Sequence, residues 1–140
     1  MTTRDTTVSI TVHLPVRLDE IDYLRIVHAS NYLRYMEHAR VKLIEQQDVD
    51  LLAWAKKGIR AVVINDTINY RYPATYGDVL AITCRIEKIE ESTVQLGYSI
   101  AEQRTGKEIL QATTTIVTID PNGKPTPIPP EVRKALSRTV

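Results

Sequence analysis

Polar and apolar positions along the first third of the chain change period once. Val8, Ile10, Val12, Leu14, Val16 and Leu18 alternate with polar or turn-forming neighbours. Period two predicts a strand with one buried face. Pro15 has no N–H to donate, so the strand must be bulged, broken or at a sheet edge there. Residues 19–29 fit neither period. From Ser30 or Asn31, either of which can cap a helix, Tyr32, Met36, Ala39 and Leu43 recur at helical spacing. Leu33, Val41 and Ile44 widen that stripe, and the helix is expected to run to about Gln47. A second short helix, from Asp50 to Lys57, stops at Gly58.

The remainder reads as strands. Val62, Ile64, Ile68, Tyr70 and Tyr72 share parity. Leu80, Ile82, Cys84 and Ile86 form the next alternation, and Val94, Leu96, Tyr98 and Ile100 the one after. Residues 109–119 are rich in β-branched residues and carry apolar groups on both parities, which predicts a strand covered on both faces. Short turns at Thr75–Asp78, Glu90–Ser92 and Thr105–Lys107 imply antiparallel pairing. A short helix is expected after Pro130, within a tail of residues 127–140. Residues 1–7 read as an N-terminal tail. The order predicts an α+β fold, a curved antiparallel sheet wrapped around one long helix. One helix cannot cover two faces and two free edges, so a partner chain is expected.

At 140 residues the chain has room for one domain. Its 18 basic and 17 acidic residues leave no footprint for nucleic acid. No apolar run approaches the roughly 20 residues of a membrane span, and the start of the chain has no signal-peptide core. The single Cys84 suits a reducing cytoplasm and, within its alternation, reads as buried and inert. His13, His28 and His38 show no zinc spacing, so no metal is expected. Phosphate-loop, dinucleotide and serine-elbow motifs are missing.

The segment VRLDEIDYLRIVHASNYLRYMEHAR, residues 16–40, resembles the opening of the hotdog-fold acyl-CoA thioesterases of the 4-hydroxybenzoyl-CoA thioesterase type. Asp22, Asn31-Tyr32, Arg34, Glu37 and Ala39-Arg40 carry the likeness, as do Tyr70, Pro73-Ala74 and Gly77-Asp78 further on. The ending Asp120, Gly123-Lys124-Pro125 and Ile128-Pro129 is also similar to the family's. The resemblance implies hydrolysis of an acyl thioester of coenzyme A or acyl carrier protein, without cofactor, in a homodimer that assembles into a homotetramer. It puts Asp22 at the position of the catalytic carboxylate, as nucleophile or general base. It puts the Ala29 N–H at the oxyanion donor, where the helix N-terminus is partly positive.

The chain departs from the pattern at four places. The loop glycine is Arg25, strained if that position requires positive φ. The threonine before the aspartate is Ile21, and the early aromatic is Leu18. A histidine used by one subgroup is replaced by Ala29, with His28 one place earlier. Arg40 matches a functional arginine of the related enediyne polyketide thioesterases. His28 is thus a second catalytic candidate, and Asn31, Arg40 and Tyr70 are candidates for substrate binding. A non-catalytic acyl-binding or scaffolding protein and a hotdog dehydratase are the other readings, though the dehydratase H-x-x-x-x-P signature is lacking. Basic Arg85, Lys88, Arg104, Lys107 and Lys124 could meet coenzyme A phosphates, or could simply be solvated.

Overall fold

A computed structural model describes residues 8–137. The N-terminal tail and the last three residues lie outside the described part. Five strands form one antiparallel sheet: β1 (Ser9–Pro15), β2 (Arg60–Tyr70), β3 (Val79–Ile89), β4 (Thr93–Glu102) and β5 (Glu108–Ile119). Their spatial order is β1-β3-β4-β5-β2. A long helix α1 (Ser30–Gln46) precedes a short α2 (Leu51–Lys56), and α3 (Pro130–Leu136) closes the chain.

Pro15 is tolerated because β1 is an edge strand and Pro15 is its last residue, opposite Val79. Leu18 does not continue the buried face. It sits in a 3-10 turn, Leu18–Glu20, and is 67% exposed.

The helical stripe is narrower than its pattern suggests. Tyr32, Tyr35, Met36, Ala39 and Leu43 are buried, while Leu33 and Val41 are exposed. Neither Ser30 nor Asn31 caps α1. Ala29 takes that position with φ −53°, ψ −33°, no side-chain bond closes the first turn, and Ser30 is already helical. Opposite the helix stand Leu80, Ile82, Cys84, Leu96, Tyr98, Ile100 and Leu110, all essentially inaccessible. Tight packing of this kind makes large truncations there cost several kcal/mol, about 2–5.

Strand β2 departs from simple alternation. Val63 pairs with Ile116 and Asn65 with Thr115, so Ile64 is an extra residue. Before this bulge Ala61 and Val63 lie on the sheet face of Ile116 and Thr118. After it Asp66, Ile68 and Tyr70 do, opposite Thr114, Ala112 and Leu110. A bulge reverses parity, so Val62 and Ile64 do not share a face with Ile68 and Tyr70 as period two suggested. β5 is internal, yet Gln111, Thr113 and Thr115 stay half-exposed, so its second face is only partly covered.

Candidate active site

Between the 3-10 turn and α1 the chain folds into a tight loop. Asp22 N–H donates to the Ile26 carbonyl at 2.8 Å, and Arg25 N–H donates to the Asp22 carbonyl at 2.9 Å. The side chain of Asp22 joins in, with Oδ1 accepting the Leu24 N–H at 2.8 Å. This is a short acidic side chain bonding its own backbone two residues on. Among the described residues Oδ2 accepts no hydrogen bond. Arg25 has φ +66°, so the position expected to hold glycine from the family resemblance does take the left-handed conformation.

The segment around Ala74 and Asp78 is knitted onto this loop from about fifty residues away. Val27 N–H donates to the Ala74 carbonyl at 2.8 Å, and Thr75 Oγ1 donates to the Arg25 carbonyl at 2.8 Å. Ala74 is wholly buried, and its N–H donates to the Tyr32 hydroxyl at 3.1 Å. Asp78 closes the turn by accepting Thr75 N–H at 2.9 Å. Gly77 turns the chain there with φ +98°.

Asp22, Ala29 and Tyr70 line one open pocket of about 350 Å³, together with Tyr32, Arg71, Tyr72 and others. The Ala29 N–H has no protein acceptor among the described residues, whereas the next donors are taken up locally: Ser30 N–H goes to His28 Nδ1 and Asn31 N–H to the His28 carbonyl. A carboxylate residue and a residue at a helix start with a spare backbone donor therefore line one pocket. That pairing can hold a carbonyl oxygen on one side and attack, or direct water, from the other.

The remaining candidates divide. Tyr70 forms a pocket wall, 54% exposed, with its ring edge-on to Tyr32 at 5.6 Å. Asn31 does not touch the pocket. Its Nδ2 donates to the Glu20 carbonyl at 2.8 Å, tying α1 to the turn that leads into Asp22. His28 does not line the pocket either; its Nδ1 lies 2.8 Å from Ser30 Oγ. Arg40 stands eleven residues beyond Ala29 along α1, about 16 Å away at 1.5 Å per residue. Its guanidinium donates to the Tyr98 hydroxyl at 2.9 Å.

Glu20 carries no role in the pattern, yet it organises the approach to the site. Its carbonyl accepts from His28 N–H and Asn31 Nδ2, and its Oε1 accepts from Arg17 N–H and the Tyr35 hydroxyl. Burial, then the Glu20 carboxylate, pushes the Tyr35 hydroxyl well above the usual tyrosine range. The signal for Glu20 was its i, i+3 spacing from Arg17, typical of a turn-closing acid.

Other aromatic, thiol and basic side chains take structural places. Trp54 packs half-buried against the core, with Lys57 Nζ 4.7 Å from its ring centre. Cys84 is fully buried, and burial lifts its thiol to about 12. Arg85 pairs with Glu87 and Lys88 with Glu90. Tyr72 and Tyr76 are exposed, and Lys107 Nζ lies 3.4 Å above the Tyr72 ring. Among the described residues no helix is long and apolar enough to cross a membrane.

Comparison with known proteins places the chain among thioesterases. The chain is 32% identical over 108 residues to the long-chain acyl-CoA thioesterase FadM of Escherichia coli, covering 76% of this chain and 80% of that one. It is 29% identical over 121 residues to a putative esterase of Aquifex aeolicus, covering 86% and 92%. The fold superposes on Slr0204, a 1,4-dihydroxy-2-naphthoyl-CoA thioesterase from Synechocystis, with a TM-score of 0.86, 20% identity and 91% and 95% coverage. The model of the thioesterase-like superfamily matches residues 16–136, and the chain belongs to that hotdog-fold family.

Proposed function

We propose that the protein hydrolyses acyl thioesters of coenzyme A or acyl carrier protein, with Asp22 and the Ala29 N–H as its reactive pair. The observation that carries this reading is that one pocket is lined by both Asp22 and Ala29, whose Oδ2 and backbone N–H respectively have no hydrogen-bond partner among the described residues. The Ala29 N–H would receive the carbonyl oxygen as negative charge grows on it. Asp22 Oδ2 would either attack the carbonyl carbon or take a proton from an attacking water. The carbon–sulfur bond then breaks, the thiolate leaves and takes up a proton, and the carboxylic acid remains. With Asp22 as nucleophile, water next cleaves the acyl–aspartyl anhydride and restores the carboxylate.

Arg25 supports catalysis over passive binding. It holds the glycine-type backbone at φ +66°, so this departure from the family leaves the loop's turn in place. Tyr70 would flank the acyl group as a wall, and Asn31 would act through Glu20 as a positioning residue.

Ala29→Pro provides the test. Proline fits φ −53° and deletes only a donor with no assigned acceptor among the described residues. Free-thiol release from acyl-CoA should fall about a hundredfold or more with the melting temperature retained. Undiminished turnover would reject the oxyanion role.

The working unit is expected to be a dimer. β2 is eleven residues long, lies at the sheet edge, and leaves Val63 and Ile64 about half-exposed. A long apolar edge of this kind invites antiparallel pairing with its own copy. The family resemblance extends this to a homotetramer, and light scattering on the purified chain reads both. A cytoplasmic location fits the single, buried Cys84.

A further inference from the structure

Two cations border the Asp22 pocket without a counter-charge. Arg71 and Tyr72 line that pocket beside Asp22 and Ala29. Lys107 Nζ lies 3.4 Å above the Tyr72 ring, so Lys107 borders the pocket through that ring. The ion pairs of the described residues are Arg17–Asp19, Lys42–Glu45, Arg85–Glu87 and Lys88–Glu90, and neither Arg71 nor Lys107 is in one. The carboxylates near Lys107 in sequence are engaged elsewhere. Glu102 Oε1 accepts the Thr105 N–H and hydroxyl at 3.0 and 3.1 Å, and Glu108 accepts from the Gln111 side-chain amide. Among the described residues Asp22 is the one acid that lines the pocket.

Both cations stand on anchored backbone. The Arg71 and Tyr72 N–H groups both donate to the Ile109 carbonyl, at 2.8 and 3.1 Å. The Lys107 carbonyl accepts the Glu102 N–H at 2.9 Å, and the Lys107 N–H donates to Thr105 Oγ1 at 3.2 Å. These bonds run to β5 and to the β4–β5 turn, on the side away from the free edge of β2. Two like charges at one mouth, unmatched by the protein, fit an anion that arrives with the substrate.

We propose that Arg71 and Lys107 recognise the phosphate at the end of the substrate's pantetheine arm, and so determine specificity for the thiol half of the thioester. The inference rests on the Asp22–Ala29 reading for the position of the thioester. Coenzyme A and acyl carrier protein present the same arm, with the thiol at one end and a phosphate at the other. Acyl group and arm are otherwise uncharged, so this phosphate is the first negative charge met from the sulfur outward. Extended, the arm spans about 16 Å from sulfur to phosphorus, over about thirteen bonds. An open pocket of about 350 Å³ does not enclose that length together with an acyl group. The phosphate therefore emerges at the mouth. There the Arg71 guanidinium can hold it through two parallel hydrogen bonds, and the Lys107 ammonium acts as a point charge.

The test places one acyl group, octanoyl, on four thiols: pantetheine, 4′-phosphopantetheine, coenzyme A and acyl carrier protein. The reading is kcat/KM from free-thiol release for the parent, Arg71→Gln, Lys107→Gln and the double variant. The parent should favour the phosphopantetheine thioester over the pantetheine thioester by about tenfold or more, and the preference should shrink as salt is raised. Each single variant should lose about threefold or more on the phosphorylated thioesters, and the double variant should no longer discriminate. Lys107→Arg keeps the charge and should keep the preference. A loss on coenzyme A and carrier protein alike, or on one of them, supports the proposal and shows which carrier supplies the phosphate. A parent indifferent to the phosphate overturns it, as does an equal loss on the pantetheine thioester or a preference that appears only with the complete nucleotide. Calorimetric titration with phosphopantetheine and pantetheine separates this from failure of the catalytic reading. If no thioester is hydrolysed, weaker binding of phosphopantetheine alone in the variants still supports the site, and unchanged affinity refutes it.

Discussion

The side chain of Asn31 donates to the main-chain carbonyl of Glu20 at 2.8 Å, across eleven residues of sequence. This bond fixes the first turn of α1 to the turn that leads into Asp22. It therefore sets the spacing between the carboxylate and the Ala29 N–H.

Asn31→Ala should consequently affect rate more than binding. The missing bond is worth about 1 kcal/mol, near 3 °C in melting temperature for a chain of this size. A fall of about tenfold in kcat with KM little changed is expected from steady-state kinetics. A purely structural role would lower the melting temperature and leave kcat alone.

Arg25 bears a conformation glycine holds without steric cost. Arg25→Gly removes about 1 kcal/mol of left-handed strain but gains entropy in the unfolded chain, so stability should change by less than about 1 kcal/mol. Arg25→Val should cost about 1–2 kcal/mol more, because a β-branched residue resists positive φ. Urea midpoints of the two variants measure the difference.

Cys84 makes stability depend on alkaline pH. Burial holds its thiol protonated in the folded chain up to about 12, against an ordinary value of 9.0. The folded state thus retains a proton the unfolded state releases. This contribution is complete below about pH 9 and is lost as pH rises toward about 12. Buried Tyr32 and Tyr98, also raised, add the same sign above their ordinary 10.0. Cys84→Ala should flatten the stability curve between about pH 9 and 10, read by urea titration. The native thiol should also resist iodoacetamide until the chain is denatured.

Tyr98→Phe removes the hydroxyl that accepts from Arg40. A half-buried guanidinium then lacks its assigned partner, at a cost of about 1–3 kcal/mol. Replacing Arg40 by Met in that background should recover part of the loss. A double-mutant cycle with thermal denaturation gives the coupling.

Much of this molecule is legible in its sequence. Period two and period 3.6 give the element order, and the short spacing from Asp22 to Ala29 lets one loop carry both to one pocket, which Tyr70 reaches from the distant end of β2. Long-range facts are less visible. The bulge at Ile64 turns Val63 inward, and no local pattern announces an inserted residue. Asn31 looks like a cap because its type suits one, yet a carbonyl eleven residues back competes successfully for its amide. Arg40 matches a functional position by sequence, but the helix carries it about 16 Å from Ala29, toward Tyr98. Side-chain partners of this kind are set by tertiary packing, which one sequence does not display.

Asp22→Asn, assayed beside the parent for free-thiol release from acyl-CoA, tests the central claim most directly. The change keeps shape and the Oδ1 acceptor for Leu24 N–H, and removes the negative charge. A loss of about a hundredfold or more in kcat, with an unchanged melting temperature, is expected. Equal turnover by the two proteins would contradict a catalytic role for the carboxylate.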